Sequence, residues 1–451
     1  MIVGAARQGL ALAEFLAKQG SKVIVTDQKE SIDMLASGKL EMQDRIEWVL
    51  GKHPLSLLDG TDTLAVSGGV PLTIPLVQEA KKQGIPLIND SQVFLDLVPC
   101  STIGITGSAG KTTTTLLVGN MARIEKGENR VWVGGNIGNP LINVIERINA
   151  DDLAVLELSS FQLELMTAAP NLACILNITP NHLDRHHTME AYQAAKSRIL
   201  TYQKPADKAV LNREDPGAWS LEKQVVGNLI TFGIHQPQGD TPGTYLHQDQ
   251  IAFWDGERSR DLFSREIIQL RGEHNLQNVL AACAVGLSAG FSDQSLEQGV
   301  RSLQGVEHRL EYIRTWRGAD WYNDSIATAP ERSIAALKSF QRPILLLAGG
   351  RDKDLPWDDF VQQVLKRVRC LVLFGETAGM IEKRVAEAAR EDGEDVVIYR
   401  VESLQDAVAA AGDLCQPDDI VLLSPGGTSF DEFKDFAERG EKFRKWVNEL
   451  K

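Results

Sequence analysis

The sequence predicts an α/β protein divided into three domains, and three observations carry that expectation. Short continuous apolar runs, such as 344–347, 371–374 and 420–423, alternate with helical stretches, the pattern of parallel strands buried on both faces. Two glycine-containing turns, at 4–9 and 104–110, each stand between such a run and a helical pattern. The chain has 451 residues, more than a single core accommodates, so two to three domains are expected.

The first domain is expected over residues 1–90. Its strands are read at 23–25, ending at Asp27, and at 64–66, ending in Ser67-Gly68-Gly69. Its first strand is short, as if residues preceded it, and Met1-Ile2-Val3 leads straight into Gly4, unlike a signal peptide. The turn Gly4-Ala5-Ala6-Arg7-Gln8-Gly9 is a relative of the dinucleotide fingerprint, and Asp27 falls where a ribose-binding acid is expected. A Rossmann-like domain that holds a nucleotide other than NAD is the favoured reading. The plain alternative for Asp27 is a carboxylate closing a strand-end turn.

The second domain, expected over 91–305, is organised around Gly104-Ile105-Thr106-Gly107-Ser108-Ala109-Gly110-Lys111-Thr112-Thr113. Strand, glycine loop, Lys-Thr and helix make a phosphate cradle: glycines let backbone N–H groups approach the phosphates, and the helix start adds a positive field. Lys111 is expected to reach the β- and γ-phosphates and Thr112 to hold Mg²⁺. The first glycine of the usual pattern is replaced by Ile105, so the loop is a variant. Further strands are read at 154–158, 173–178 and 209–211, short strands and loops over 233–262, and a helix from 272 through 287.

Glu157 ends one of these strands, where an acid commonly orients Mg²⁺ in phosphate-loop enzymes; the alternative is a solvent-facing carboxylate. His182, His186 and His187 invite a zinc reading, but no cysteine lies near, and a His182 facing Mg²⁺ or phosphate is favoured, with His186 and His187 solvated. Lys196 sits in a helical stretch and by itself reads as a surface charge. Asn275 and Asn278, three apart on one helical face, are able to bond a base edge or only to decorate the helix.

The third domain, expected over 306–451, is again Rossmann-like. Arg309 is placed to clamp phosphate and Asp324 to hold a ribose, each a weak signal alone. The last helix is expected to start at Ser429-Phe430-Asp431-Glu432, a capping-box sequence.

Bulk composition excludes some classes. A net charge of −14 argues against nucleic acid as a partner, though not against anionic small substrates. No apolar run approaches the roughly 18 residues of a membrane span. The five cysteines are scattered without a Cys-x-x-Cys pair, which reads as reduced thiols in a cytoplasmic protein.

The segments GITGSAGKTT, GGNIG, LELSSFQLE, NITPNHLDRH, AAKSRI, GEHNLQN, EHRLE, NDSIAT and LSPGGTSFDEFKDF follow one another down the chain. In that order they resemble the Mur ligase family over essentially its whole length. LELSSFQLE and the closing segment point to its D-glutamate-adding branch, and the DNPR signature of the diamino-acid-adding branch is absent. Folylpolyglutamate synthases share the central domain but lack a separate nucleotide domain before it.

The resemblance implies a monomeric, ATP-dependent cytoplasmic ligase that joins D-glutamate to UDP-N-acetylmuramoyl-L-alanine through an acyl phosphate. It implies ATP-side roles for Gly107, Ser108, Ala109, Gly110, Lys111, Thr112, Thr113, Asn275, Asn278, Arg309 and Asp324. It implies two Mg²⁺ ions near Thr112, Glu157, His182 and Lys196, with Lys196 carbamylated. Gln8, Asp27, Gln28, Lys29, Gly69 and Asn136 fall on the uridine-nucleotide substrate, and Ser159, Gln162 and His182 are further substrate-binding positions. Thr328, Lys353, Ser429 and Phe436 fall around D-glutamate, with Phe436 two turns beyond Ser429 on one helical face. Three positions depart from the family pattern: Ile326 for a lysine, Ala109 for an asparagine and Gly68 for a proline.

Overall fold

The computed structural model describes residues 1–32, 42–270, 272–303, 307–352, 355–392 and 396–451. They form two compact units, Met1–Gln269 with Glu273–Leu303, and Leu270–Gly272 with Gln304–Lys451.

In the first unit, β1 (Ile2–Val3), β2 (Val23–Asp27), β3 (Ile46–Leu50), β4 (Leu64–Val66) and β5 (Leu87–Ile88) make an all-parallel sheet ordered β3-β2-β1-β4-β5. Strand order reverses between β1 and β4, where Val3 pairs with Val66. Such a reversal opens a crevice beyond the carboxyl ends of the strands. Here it sets the turn after β1 beside Ser67-Gly68-Gly69 after β4.

The same unit holds β6 (Ser101–Thr106), β7 (Val131–Gly135), β8 (Leu153–Glu157), β9 (Leu172–Ile175), β10 (Lys208–Asn212), β11 (Asn228–Phe232), β12 (Gly243–His247), β13 (Gln250–Trp254) and β14 (Ser259–Ser264). Their order is β14-β13-β12-β11-β10-β9-β6-β8-β7, parallel from β7 to β12 and antiparallel through β14. The central strands β8 and β9 are continuous apolar runs of the sequence and lie buried, as strands covered on both faces must. Because β6 lies between β8 and β9, the ends of all three converge at one rim: Ile105 is level with Glu157, and Thr106 with Ile175.

The second unit is built on β15 (Glu311–Trp316), β16 (Ala319–Asn323), β17 (Ile344–Gly349), β18 (Val368–Phe374), β19 (Val397–Arg400) and β20 (Ile420–Gly426), ordered β15-β16-β20-β17-β18-β19. Only β15 runs antiparallel to its neighbour. The strands β15 and β19 were not expected from the sequence; both are edge strands with exposed residues, so neither shows the continuous apolar run that marks the central ones.

The expected start of the last helix is corrected. The helix runs Phe436–Glu449 and is capped by Asp435, whose side chain accepts from the Glu438 N–H at 2.8 Å. Ser429 heads only a single turn, and the Glu432 carboxylate of the anticipated capping box instead accepts from the Leu404 N–H at the start of helix Leu404–Leu414. Ser429 and Phe436 therefore do not share a helical face.

Candidate active site

The loop between β6 and helix Lys111–Lys126 is folded by specific contacts. Gly110 is the N-cap in the left-handed region (φ +84°), which a side chain rarely adopts. A Cβ there would also meet Asn278 Oδ1 at 2.2 Å. Asn278 in turn donates to Asn275 Oδ1 at 2.9 Å, so the pair expected on the nucleotide side stands against the loop. Asn177, just past β9, holds the loop from the other side. Its side chain accepts from the Ala109 N–H (2.8 Å) and donates to the Ala109 carbonyl (3.1 Å), while its own carbonyl accepts from the Ser108 N–H. The sequence reading quoted Asn177 but gave it no role; its position directly after a buried strand was the available signal.

Two lysines converge on one carbonyl. Lys111 Nζ donates to Gly107 O at 2.9 Å, and Lys196 Nζ donates to the same oxygen at 2.9 Å. Lys196 is 1 % exposed, which corrects the surface-charge expectation: helix Met189–Thr201 turns this residue inward under the loop, over the Tyr192 ring. Burial first, then the Lys111 charge, pushes its ammonium well below the ordinary lysine range, opposed by Glu157.

Glu157 is buried at the end of β8, not solvent-facing. One carboxylate oxygen accepts from the Thr112 hydroxyl at 2.8 Å and the other from Asn136 Nδ2 at 2.8 Å. An all-oxygen pair of this kind, beside a phosphate-type loop, suits Mg²⁺. Among the described residues no group of three or more His, Cys, Asp or Glu side chains gathers as a zinc site would require. His186 is buried rather than solvated, as its ring meets Ser160 Oγ at 3.0 Å and stacks on Phe161; His187 is exposed. His182 is exposed, with a left-handed backbone (φ 54°) and its ring at the edge of Phe161.

The first sheet reaches the same rim. Gln8 donates to Gly135 O at 3.4 Å and Arg7 to Asn136 O at 3.2 Å. The two oxygens of Asp27 accept from the N–H groups of Ala5 (2.7 Å) and Lys29 (2.9 Å) and tie β2 to the first turn, the strand-end role the sequence also allowed. Gln28 lines a cavity of about 440 Å³ with Gly51, Lys52, His53, Ile74, Pro75 and Leu76. Lys29 and Gly69 are exposed. Ser159 and Gln162 form a capping box for helix Ser160–Leu163, and Gln162 Nε2 is taken by Ser91 Oγ at 2.8 Å. Those polar groups have structural partners that the sequence reading did not foresee.

The other candidates belong to the second unit. Asp324 is buried beyond β16, accepts from Ser424 Oγ (2.7 Å) and the Leu310 N–H (3.2 Å), and is pushed up to about 7 by burial. Arg309 is half-buried and lies close enough to bring that value partly down. Arg439, fully buried and unnoticed in the sequence, donates to Ser325 O, Ser325 Oγ and Gly427 O, and so fixes the loops that carry Thr328 and Ser429. Ser429 is buried, whereas Phe436 is partly exposed. Lys353 lies outside the described residues.

The chain matches three family descriptions in succession: the MurD-like N-terminal domain of Mur ligases over residues 1–89, the Mur ligase middle domain over 105–286, and the Mur ligase glutamate ligase domain over 308–427. It is 38% identical over 450 residues to the UDP-N-acetylmuramoylalanine–D-glutamate ligase of Symbiobacterium thermophilum, spanning 100% of this chain and 97% of that one. The enzyme of the same name from Pelotomaculum thermopropionicum is 39% identical over 460 residues, with the same two shares covered. Among solved structures it resembles the UDP-N-acetylmuramate–alanine ligase of Thermotoga maritima (TM-score 0.61, 18% identity, 100% of this chain and 99% of that one), a likeness of fold.

Proposed function

The chain belongs to the Mur ligase family, and from that membership we propose that it joins D-glutamate to UDP-N-acetylmuramoyl-L-alanine with cleavage of ATP, a step of peptidoglycan precursor synthesis. The observation that carries the reading is the junction at the end of β6. There a glycine loop heads a helix, two lysines meet at Gly107 O, and Thr112 and Asn136 occupy the two oxygens of Glu157.

In this reading a carboxylate oxygen of the L-alanyl group attacks the γ-phosphorus, and the bond to ADP breaks. The D-glutamate nitrogen then attacks the acyl carbon; phosphate leaves, and the nitrogen gives up a proton. No enzyme nucleophile is needed. The difficulty is electrostatic, because an anion must approach a polyanion. Lys111, whose Nζ donates to Gly107 O and Ser108 O, supplies the cation that the phosphates meet at the loop. Thr112 and Glu157 would hold Mg²⁺, which screens the phosphate charge when bound. Arg309 and Asp324 serve the nucleotide, and Thr328, Lys353, Ser429 and Phe436 the incoming amino acid.

Lys196 is carbamylated in the working enzyme. A neutral amine attacks CO₂, forming an N–C bond and releasing a proton. The buried, Lys111-opposed Lys196 is that amine. The resulting anion would relieve the meeting of two ammonium groups at one carbonyl and supply oxygen toward the metal side.

The test is phosphate release from ATP with UDP-N-acetylmuramoyl-L-alanine and either D-glutamate, L-glutamate or no amino acid. Release only with D-glutamate is expected; equal release in all three arms would mean a nucleotide hydrolase instead.

A further inference from the structure

The loop Ser67-Gly68-Gly69-Val70 borders the crevice of the first sheet, and little within it makes it rigid. Two consecutive glycines lose more conformational freedom on ordering than any other pair. Ser67 is tied to the first strand and turn, by its N–H to Val3 O and its Oγ to Gly4 O at 2.7 Å, and within the loop the Val70 N–H bonds Ser67 O. Val70 lies over Gly4, where a Cβ would come within 2.6 Å of it. The loop's position therefore shapes the turn that the substrate approaches.

Arg185 reaches this loop from the second sheet's side of the same unit. Its Nη1 donates to Gly68 O at 2.8 Å and its Nη2 to Val70 O at 2.7 Å, with the guanidinium 4.1 Å from the centre of the Phe161 ring. Two carbonyls two residues apart suit the rigid fork of a guanidinium, which one ammonium cannot reproduce. The Phe161 ring under the guanidinium also meets the His182 ring edge-on, 5.0 Å between centres.

We propose that Arg185 is a positioning residue that clamps the 67–70 loop in the geometry that receives the uridine-nucleotide substrate. The inference rests on the functional reading above and assigns a role to a side chain which that reading left unused.

Hydrogen exchange of the ligand-free protein and steady-state kinetics test it together. In Arg185→Ala, amides of 67–70 should exchange roughly tenfold faster. The KM for UDP-N-acetylmuramoyl-L-alanine should rise roughly tenfold, with kcat and the KM for ATP within about twofold. Arg185→Lys should behave like the alanine variant. Gly68→Ala, added to Arg185→Ala, should recover part of the KM by stiffening the loop, since its Cβ would meet only Gln8 Oε1 at 3.7 Å. Unchanged exchange, full retention by Arg185→Lys, or no recovery by Gly68→Ala would each overturn the clamp, the last by indicating direct contact with substrate. Because exchange is read without substrate, a parent protein unable to use UDP-N-acetylmuramoyl-L-alanine overturns the functional reading separately.

Discussion

Single residues decide the charge balance of the site. Lys111→Ala should reduce ligation by on the order of 10²-fold or more, because the phosphate charge loses the cation that heads the loop; a folded variant with near-parental product formation would refute the ATP assignment. Lys196→Ala should be nearly inactive, and small carboxylates such as formate should partly restore it by filling the space of the missing carbamate. Full activity of that variant, or an intact-mass spectrum of the protein held in bicarbonate with no added carbamate, would count against carbamylation. Asp324 gives a pH dependence. Its carboxyl stands at about 7 in the folded chain against an ordinary value of 3.8. Between those values the folded chain keeps a proton that the unfolded chain has lost, so stability falls as pH rises and is level above about 7. Asp324→Asn should therefore gain thermal midpoint relative to the parent progressively from about pH 4 to about pH 7. A difference that stays constant across this window would contradict the buried-carboxyl account.

Elements place those residues. The β6–helix junction brings a loop, the end of β8 and the end of β9 to one rim, which is why Glu157 and Asn177 meet residues 45 and 68 positions earlier in sequence. At the other end of the chain, cap choice sets the last helix. Asp435→Ala should destabilise the second unit by about 1 kcal/mol, the usual worth of an N-cap. Ser429→Ala should leave that helix intact and instead raise the KM for D-glutamate. Denaturant melts of both variants beside D-glutamate kinetics separate the two roles; equal destabilisation by both would restore Ser429 as the cap.

At the scale of the whole molecule, the candidate residues are divided between the units. The glycine loop and the first-sheet crevice lie in one, Asp324 and Ser429 in the other. If the crevice receives a uridine nucleotide, UDP-N-acetylmuramoyl-L-alanine should slow hydrogen exchange around Asp27 and Lys29, and NAD should not. Protection by NAD alone would return the first domain to a dinucleotide reading.

The sequence by itself determined the α/β class, the central strands and the glycine loop with its helix. These depend on local patterns: continuous apolar runs, glycines before Gly-Lys-Thr, and the spacing of motifs down the chain. What only the tertiary structure decided is where polar side chains find partners. A helical lysine carries no mark of its facing, so Lys196 read as surface until its helix was seen packed beneath the loop. Asp27 kept the spacing of a ribose acid, yet its oxygens are taken by two backbone N–H groups. Ser429-Phe430-Asp431-Glu432 had the pattern of a capping box, yet Glu432 is used by a helix 28 residues earlier and Asp435 caps the last helix. Arg185 and Arg439 act through carbonyls, groups every residue has and no sequence motif displays; their roles arise only when the fold brings those carbonyls within reach.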